Sequence, residues 1–148
     1  ENVALNNFKS SNFFNNGLIN ESKIKEHSKK IISDFNVNTD NIDLKSQFLS
    51  GGNLQKLIIG RELITSPDLL ICFNPTWGLD VGAINYIHET LIKINEQNKS
   101  IILISTDTDE LLKLSDKISV IHKGKLSNIM NAEEVTSEKL GILMGGGN

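Results

Sequence analysis

The stretch Leu49-Ser50-Gly51-Gly52-Asn53-Leu54-Gln55-Lys56 decides the fold, because a serine and two glycines stand just before an apolar run that begins at Leu57. Ser50 is a good N-cap, since its hydroxyl accepts a hydrogen bond from a free N–H group of the next turn. The glycines carry no Cβ and allow a close approach to the backbone. A helix that begins at Asn53 would direct its positive end at an anion, and phosphate is the usual one. The same residues also fit a plain helix start, which most Ser-Gly-Gly turns are.

Length and composition fit one domain with a core of its own. The chain has 148 residues and a net charge of −3, so there is no general attraction to nucleic acid or to anionic lipid. Cys72, the single cysteine, stands in an apolar run and is predicted to be a small core residue in a reducing compartment. No apolar stretch approaches the length of a membrane span, and no signal peptide is apparent. The first residue is Glu1 rather than Met, so we expect a fragment of a longer protein.

Upstream of the octet the sequence is polar and its pattern is helical. Residues 20–35 alternate apolar and lysine-rich sides with a helical period, which predicts an amphipathic helix. The stretch 36–46 has no clear period and is predicted to be a loop. Before residue 20 we expect a short helix and then an Asn/Ser-rich loop that ends near Gly17. The apolar positions behind the two helix predictions are Val3, Ala4, Leu5 and Phe8, and then Ile24, Ile31, Ile32 and Phe35.

From the octet onward, helix-like and strand-like patterns alternate. The helix at 53–65 is apolar over most of its surface and is predicted to be buried. The short apolar runs 69–73 and 101–104 are predicted to be strands buried on both faces, as in a parallel sheet. Further helices are predicted at 81–97, from a capping box at 107–110 through residue 114, and at 137–144, with a hairpin formed by 118–121 and 126–130. A helical first third followed by such units indicates the α/β class.

The octet as a whole resembles the signature motif of ATP-binding-cassette (ABC) ATPases. It is most similar to the version in the second nucleotide-binding domain of sugar and nucleoside importers, where Leu54 is more often a second Gln. The resemblance implies a P-loop NTPase-like fold in which residues 1–48 are part of the helical subdomain. Residues 49–148 would then hold the signature helix and the later part of the α/β core, a mostly parallel sheet closed by a C-terminal hairpin.

The phosphate cradle of such ATPases is missing from the chain. No Gly-x-x-x-x-Gly-Lys-Ser/Thr occurs, and the one Gly-Lys pair, Gly124-Lys125, is followed by Leu126. In the family this Walker A motif lies upstream of the signature, in a half of the domain that this chain lacks. We therefore expect that the chain does not hold nucleotide tightly by itself.

Three catalytic positions of the family pattern carry other residues here. Residues 69–73 and the following Asn74-Pro75-Thr76 align with the Walker B motif, with Phe73 at the magnesium-carboxylate position and Asn74 at the general-base position. Phenylalanine offers no oxygen, and an amide cannot accept a proton at neutral pH. Thr106 stands where the family has its switch histidine, and a hydroxyl cannot replace the imidazole. The plain alternative, a core strand that ends in a turn, fits the same residues.

Residues 77–83 follow directly and resemble the D-loop of the same importers, which usually has Arg at the position of Trp77. By this resemblance Asp80 is an inter-domain contact residue. It is equally well placed to cap the next helix, and both roles are compatible.

The resemblance also implies a function. In ABC ATPases two nucleotide-binding domains meet head to tail, and each ATP lies between the Walker motifs of one domain and the signature of the other. The full-length protein would be a transport ATPase that couples ATP binding and hydrolysis to solute uptake, whereas the fragment alone would be inactive. The implied nucleotide contacts are Ser50, Gly51, Gly52, Asn53, Gln55 and Asp80.

The implied cofactor is ATP shared with the partner domain, with Mg2+ bound only through that partner. The implied partners are the first nucleotide-binding domain of the same chain, transmembrane permease subunits and, indirectly, an external solute-binding protein, at the cytoplasmic face of the cell membrane. The motifs do not name the solute, although residues 78–84 with Tyr86-Ile87-His88 favour nucleosides over sugars.

Other interpretations stay open. Chromosome-maintenance and repair ATPases have a similar signature, but this chain lacks sustained heptads and a basic stripe, and no nucleic-acid partner is expected. A scaffold domain without catalysis is the third possibility. No metal site is predicted, since His27, His88 and His122 lack ligand spacing and are expected at the surface or the edge of the core. The aromatic residues Phe8, Phe13 and Phe14 either contact the permease or pack on the helix 20–35.

Overall fold

The fold is taken from a computed structural model that describes residues 2–3, 13–15 and 18–147. The chain groups into two compact units, Glu1–Asp68 with Thr76–Ile87, and Leu69–Pro75 with His88–Asn148. The elements in chain order are β1 (Phe14–Asn15), β2 (Leu18–Ile19), α1 (Glu21–Asp34), α2 (Gly51–Leu63), β3 (Leu69–Phe73), α3 (Val81–Glu96), β4 (Ser100–Ile104), α4 (Thr108–Leu114), β5 (Lys117–Ile118), β6 (Ile121–His122), β7 (Lys125–Leu126), β8 (Met130–Asn131) and α5 (Ser137–Met144), with 3-10 turns at Ser46–Phe48 and Ala132–Glu134. No helix in this described part of the chain is long and apolar enough to cross a membrane.

In the first unit, α1 confirms the predicted amphipathic helix. Asn20 is its N-cap, since its side chain accepts a hydrogen bond from the Lys23 N–H group. Ile31 on the apolar side is fully buried. Gly60 of α2 lies against this side, because a Cβ there would be 2.7 Å from Ile31 Cγ2 and 2.6 Å from Phe35 Cδ2. The missing side chain of Gly60 therefore sets how closely the two helices pack.

The segment before α1 differs from the predicted loop. Residues Phe14–Asn15 and Leu18–Ile19 form a short antiparallel ladder. Phe13 is buried, and its ring meets the His27 ring edge-on with centroids 5.0 Å apart. Phe13 thus packs on α1, so its proposed contact with a permease is wrong. The predicted helix positions Ala4, Leu5 and Phe8 lie outside the described residues, and so does the side chain of Phe14.

The octet helix α2 begins two residues earlier than predicted, at Gly51, with Ser50 as its N-cap. The prediction that this helix is buried is wrong, because only Ile59 and Gly60 are buried. A helix that is apolar on most sides needs neighbours on most sides. Among the described residues of its own unit, α1 covers one side of α2, and the start of α3 meets α2 near its N-terminus.

In the second unit, β3 and β4 pair in parallel, with Leu70 opposite Ile101 and Phe73 opposite Ile104. The parallel pairing was predicted, but burial on both faces is wrong for these strands. Leu70 and Cys72 are buried, whereas Ile71 and Phe73 on the opposite face are 62% and 73% exposed. On β4 the side chains are half-buried or exposed. Only one face of this two-stranded sheet is covered within the described part of the chain.

The C-terminal elements of the second unit form a small core of their own. The pair β6–β7 is the predicted hairpin, although the strands are shorter than expected and β5 pairs with β8 instead. Its two-residue turn, Lys123-Gly124, has positive φ at both positions, +46° and +76°, as a type I′ turn requires. Helix α5 was predicted over the same residues, 137–144. The buried apolar residues of this core are Ile118, Val120, Val135 and Leu140.

Cys72 allows a direct test of the buried face of β3. Burial, assisted by the negative charge of Glu110, raises the pKa of the Cys72 thiol from 9.0 to about 11. The neutral thiol is therefore favoured in the folded protein, and this contribution to stability is present below pH 9.0 and is lost as the pH rises towards about 11. We expect iodoacetamide to label Cys72 at least roughly a hundredfold more slowly in the folded than in the urea-unfolded protein, as followed by mass spectrometry. Equal labelling rates in both states would contradict the buried position.

Candidate functional site

Ser50 and Asn53 are connected at the N-terminus of α2. The Ser50 hydroxyl oxygen accepts from the Asn53 backbone N–H at 3.4 Å and from Asn53 Nδ2 at 2.9 Å. The orientation of the amide is fixed by its other end, since Asn53 Oδ1 accepts from the Asn38 backbone N–H at 2.8 Å. A hydroxyl has two acceptor sites and one donor. With both acceptor sites used by Asn53, the Ser50 hydroxyl hydrogen is left to donate outward.

Gly51 and Gly52 bring the start of α2 close to the residues that lead into α3. A Cβ on Gly51 would lie 3.5 Å from Leu79 Cδ2, which is ordinary contact. A Cβ on Gly52 would lie only 2.9 Å from Ala83 Cβ and 3.9 Å from Asp80 Oδ2. Glycine at position 52 is therefore required by packing, whether or not a ligand also needs the space.

Asp80 is the N-cap of α3, as one of its two predicted roles required. Its Oδ1 accepts from the Ala83 backbone N–H at 2.9 Å, and its carbonyl accepts from Ile84 N–H at 2.9 Å. Gly82 leaves room for this contact, because a Cβ there would lie 3.2 Å from Asp80 Oδ1. Trp77, three residues earlier, is 76% exposed.

The first unit thus places the N-termini of α2 and α3 side by side, with Ser50, Gly52 and Asp80 close together. Two sets of backbone N–H groups and one hydroxyl are available there to an anion, while the Asp80 carboxylate is held by its own helix. Gln55 lies one turn further along α2 and is half-buried. The side chain of Asn53 is engaged with Ser50 and Asn38, so it would support a ligand through Ser50.

The three positions at which the resemblance implied catalysis, Phe73, Asn74 and Thr106, lie in the second unit, at the carboxyl ends of β3 and β4. Asn74 adopts the left-handed conformation, with φ of +44°, which Asn tolerates better than most residues. Its N–H donates to Ile104 O at 2.8 Å, and its Oδ1 accepts from the Thr106 N–H at 3.2 Å. Asn74 therefore links the end of β3 to the end of β4 by two hydrogen bonds. Phe73 is exposed and offers no ligand atom, so this strand end does not fit Mg2+.

A buried contact between His88 and Glu110 in the second unit was missed in the sequence. His88 Nε2 lies 3.0 Å from Glu110 Oε1, and the two residues are 6% and 2% exposed. The sequence predicted that Glu110 would complete a capping box on α4 by accepting from the Asp107 N–H. This part of the prediction is wrong, because the Asp107 N–H donates to Ser105 Oγ. Asp107 does cap the helix, through Asp109 N–H and Glu110 N–H, but the Glu110 carboxylate reaches His88 instead. The only signal in the sequence was a histidine on the apolar side of α3.

The other two histidines, His27 and His122, contact residues of the fold itself. Burial, with a smaller effect of the Lys30 charge, lowers the pKa of His27. His122 Nδ1 lies 3.0 Å from Met144 O. Over residues 2–3, 13–15 and 18–147, no three His, Cys, Asp or Glu side chains are grouped so that they could hold a metal ion.

Comparison with curated proteins gives relatives over the whole chain. The chain is 43% identical over 148 residues to the nucleoside import ATP-binding protein NupA of Lactococcus lactis, which covers 100% of the chain and 29% of the relative. It is 38% identical over 146 residues to the guanosine import ATP-binding protein NupO of Bacillus subtilis. This alignment covers 99% of the chain and 29% of the relative. It is 39% identical over 148 residues to the ribose import ATP-binding protein RbsA of Oceanobacillus iheyensis, covering 100% and 29%.

The chain therefore spans about 29% of the length of these relatives. No protein-family model matches it. The similarity to ATP-binding proteins of sugar and nucleoside importers, which the octet predicted, is confirmed along the whole chain.

Solved structures confirm the fold. An inward-facing metal-chelate type ABC transporter superposes with a TM-score of 0.75 at 19% identity, over 97% of this chain and 56% of that one. A second match is a dimeric ATP-binding cassette in a post-hydrolysis state, bound to ADP and Pi. It superposes with a TM-score of 0.66 at 22% identity, over 87% of this chain and 56% of that one. The fold is that of ATP-binding-cassette domains.

Proposed function

We propose that this chain is the later part of the second nucleotide-binding domain of an ABC importer for sugars or nucleosides. The observation that carries the proposal is the pairing of two helix N-termini, where Ser50 caps α2, Asp80 caps α3, and Gly52 lets them meet. The similarity to import ATP-binding proteins, over 99–100% of the chain, supports this function for the site.

Ser50, Gly51, Gly52 and Asp80 lie at the two helix N-termini, and we call this group the Ser50–Asp80 site. It completes the ATP site of the first nucleotide-binding domain. The Ser50 hydroxyl hydrogen and the N–H groups at Gly51 and Gly52 would donate to the γ-phosphate, and Gln55 would contact the ribose. Dimerisation around nucleotide is supported by the cassette dimer with ADP and Pi that shares this fold. Hydrogen bonds to a charged phosphate are stronger than those between neutral groups, so Ser50 matters most once the domains close.

The domain does not hydrolyse ATP with its own strand ends. Phe73 and Asn74 supply neither a magnesium ligand nor a general base, and Thr106 supplies no imidazole. Mg2+ would be held by the partner domain. The fragment alone, without a Walker A motif, has no turnover of its own.

The protein acts at the cytoplasmic face of the cell membrane. The relatives are named for nucleoside, guanosine and ribose import, and this supports permease subunits and an external solute-binding protein as partners. The two nucleoside-type names agree with the preference for nucleosides indicated by residues 78–88.

The test is ATP turnover by the full-length protein in the assembled importer. We expect Ser50→Ala to lower kcat by roughly 10-fold or more, because it removes a charge-assisted hydrogen bond worth about 1.5–3 kcal/mol. The matched control is Asn74→Gly, which removes the amide while tolerating the positive φ, and we expect kcat within about twofold of the unchanged protein.

The two variants separate the proposal from its alternatives. Normal turnover with Ser50→Ala would mean that the octet is only a helix start and that the domain is a scaffold. Loss of turnover with Asn74→Gly alone would mean that the β3 end takes part in hydrolysis, contrary to the proposal.

A further inference from the structure

Lys56 joins three segments of the first unit. Its Nζ lies 3.3 Å from the carbonyl oxygen of Asn36, just after the C-terminus of α1. The same Nζ lies over the ring of Tyr86 on α3, 4.4 Å from the centroid. Lys56 itself belongs to α2, so its ammonium group links α2 both to the segment after α1 and to α3.

The contact lies one turn away from the Ser50–Asp80 site. Lys56 is four residues after Gly52 on α2, and Tyr86 is three residues after Ala83 on α3, so the two pairs lie on matching sides of the helices. Gly52 and Ala83 meet at the site, and Lys56 and Tyr86 meet one turn further along. Two contact points define the alignment of two helices, whereas one leaves them free to pivot.

The surroundings of Lys56 fit a cation that is held in place. A carbonyl that follows a helix C-terminus is a favourable position for positive charge. The face of an aromatic ring attracts a cation, and the attraction is stronger when the pair is partly removed from water. Lys56 and Tyr86 are both half-buried. The ammonium group is thus engaged by the protein and is not left as a free phosphate ligand.

We propose that Lys56 is a positioning residue that aligns α2 with α3 and thereby places Ser50 and Asp80 for the shared ATP. The proposal rests on the proposed function of the Ser50–Asp80 site. Because the partner domain holds most of the nucleotide, misalignment of this site affects the closed, reacting state more than the first binding of ATP. Loss of the alignment therefore lowers kcat and leaves KM nearly unchanged.

The experiment measures ATP turnover against ATP concentration for full-length variants in the assembled importer. We expect Lys56→Met and Tyr86→Leu each to lower kcat about 5–10-fold with KM within about twofold, and the double variant to be no worse than either single variant. Lys56→Arg keeps the cation and Tyr86→Phe keeps the ring, so both should keep kcat within about twofold.

Each other outcome overturns the proposal. If Lys56→Met loses turnover while Tyr86→Leu is normal, Lys56 acts directly on phosphate and not through α3. If the single losses multiply in the double variant, the two residues act independently. If the thermal unfolding temperature falls while kcat is unchanged, the contact serves only stability. Normal turnover with Ser50→Ala would instead remove the proposed function, which is a separate failure.

Discussion

Under the proposed function, replacing Gly52 by Asp is expected to lower the ATP turnover of the assembled importer by roughly 100-fold or more. Two effects add at this position. The new Cβ would lie 2.9 Å from Ala83 Cβ, so α2 and α3 must separate, and the new carboxylate would stand beside Asp80 and repel the phosphate. The measurement is kcat of full-length Gly52→Asp next to the unchanged protein, with subunit assembly checked by size-exclusion chromatography.

Two control variants separate packing from charge at position 52. Gly52→Ala introduces the close contact without charge, and we expect a smaller loss of about 10-fold. Adding Ala83→Gly to that variant restores the space and should restore most of the turnover. If Gly52→Asp turns over ATP normally, the octet does not contribute to any ATP site. If Ala83→Gly restores nothing, the packing contact is not the cause of the loss.

Replacing Gly60 by Ala is expected to lower the free energy of local opening of α1 and α2 by about 1–3 kcal/mol. An added Cβ would lie 2.6 Å from Phe35 Cδ2 and 2.7 Å from Ile31 Cγ2, and Ile31 is fully buried. Amide hydrogen exchange resolved along the chain measures the opening of these helices in the native protein.

Gly141 on α5 gives a matched control for the change at Gly60. A Cβ at Gly141 meets no described atom within 4 Å, so Gly141→Ala adds a better helix former without a clash. We expect α5 to become more stable by about 0.5–1 kcal/mol. Faster exchange in α5 after this change, or unchanged exchange in α1 and α2 after Gly60→Ala, would contradict the packing described here.

The helix caps could be predicted from the sequence, because capping depends on residues that are close in the chain. Ser50, Asp80 and Asp107 each accept from N–H groups two or three residues further on. The two apolar runs that form the parallel strands, and the similarity to importer ATP-binding proteins, were predictable for a related reason, since each run and the octet is a short stretch of sequence.

What lay beyond the sequence depends on partners that are distant in the chain. His88 and Glu110 are 22 residues apart, and neither stands in a motif that names the other. Burial of 69–73 on both faces was a wrong inference from hydrophobicity alone, since an apolar strand shows what could be covered and not what covers it. Within the candidate site, the engagement of Asn53 by Asn38 and the contact of Gly52 with Ala83 likewise join segments 15 or more residues apart.

Under the proposed function, a protein with Phe73 and Asn74 at this strand end is not expected to gain ATP hydrolysis there by a single mutation. Glutamate at 74 alone would disturb the bond to the Thr106 N–H and must accept a left-handed backbone with φ of +44°, which favours Asn over Glu. Aspartate at 73 alone would bring a magnesium ligand to a site without a base. Each single change would therefore disturb a contact or supply only one of the two groups, and the proposed difference between the two nucleotide-binding domains would persist.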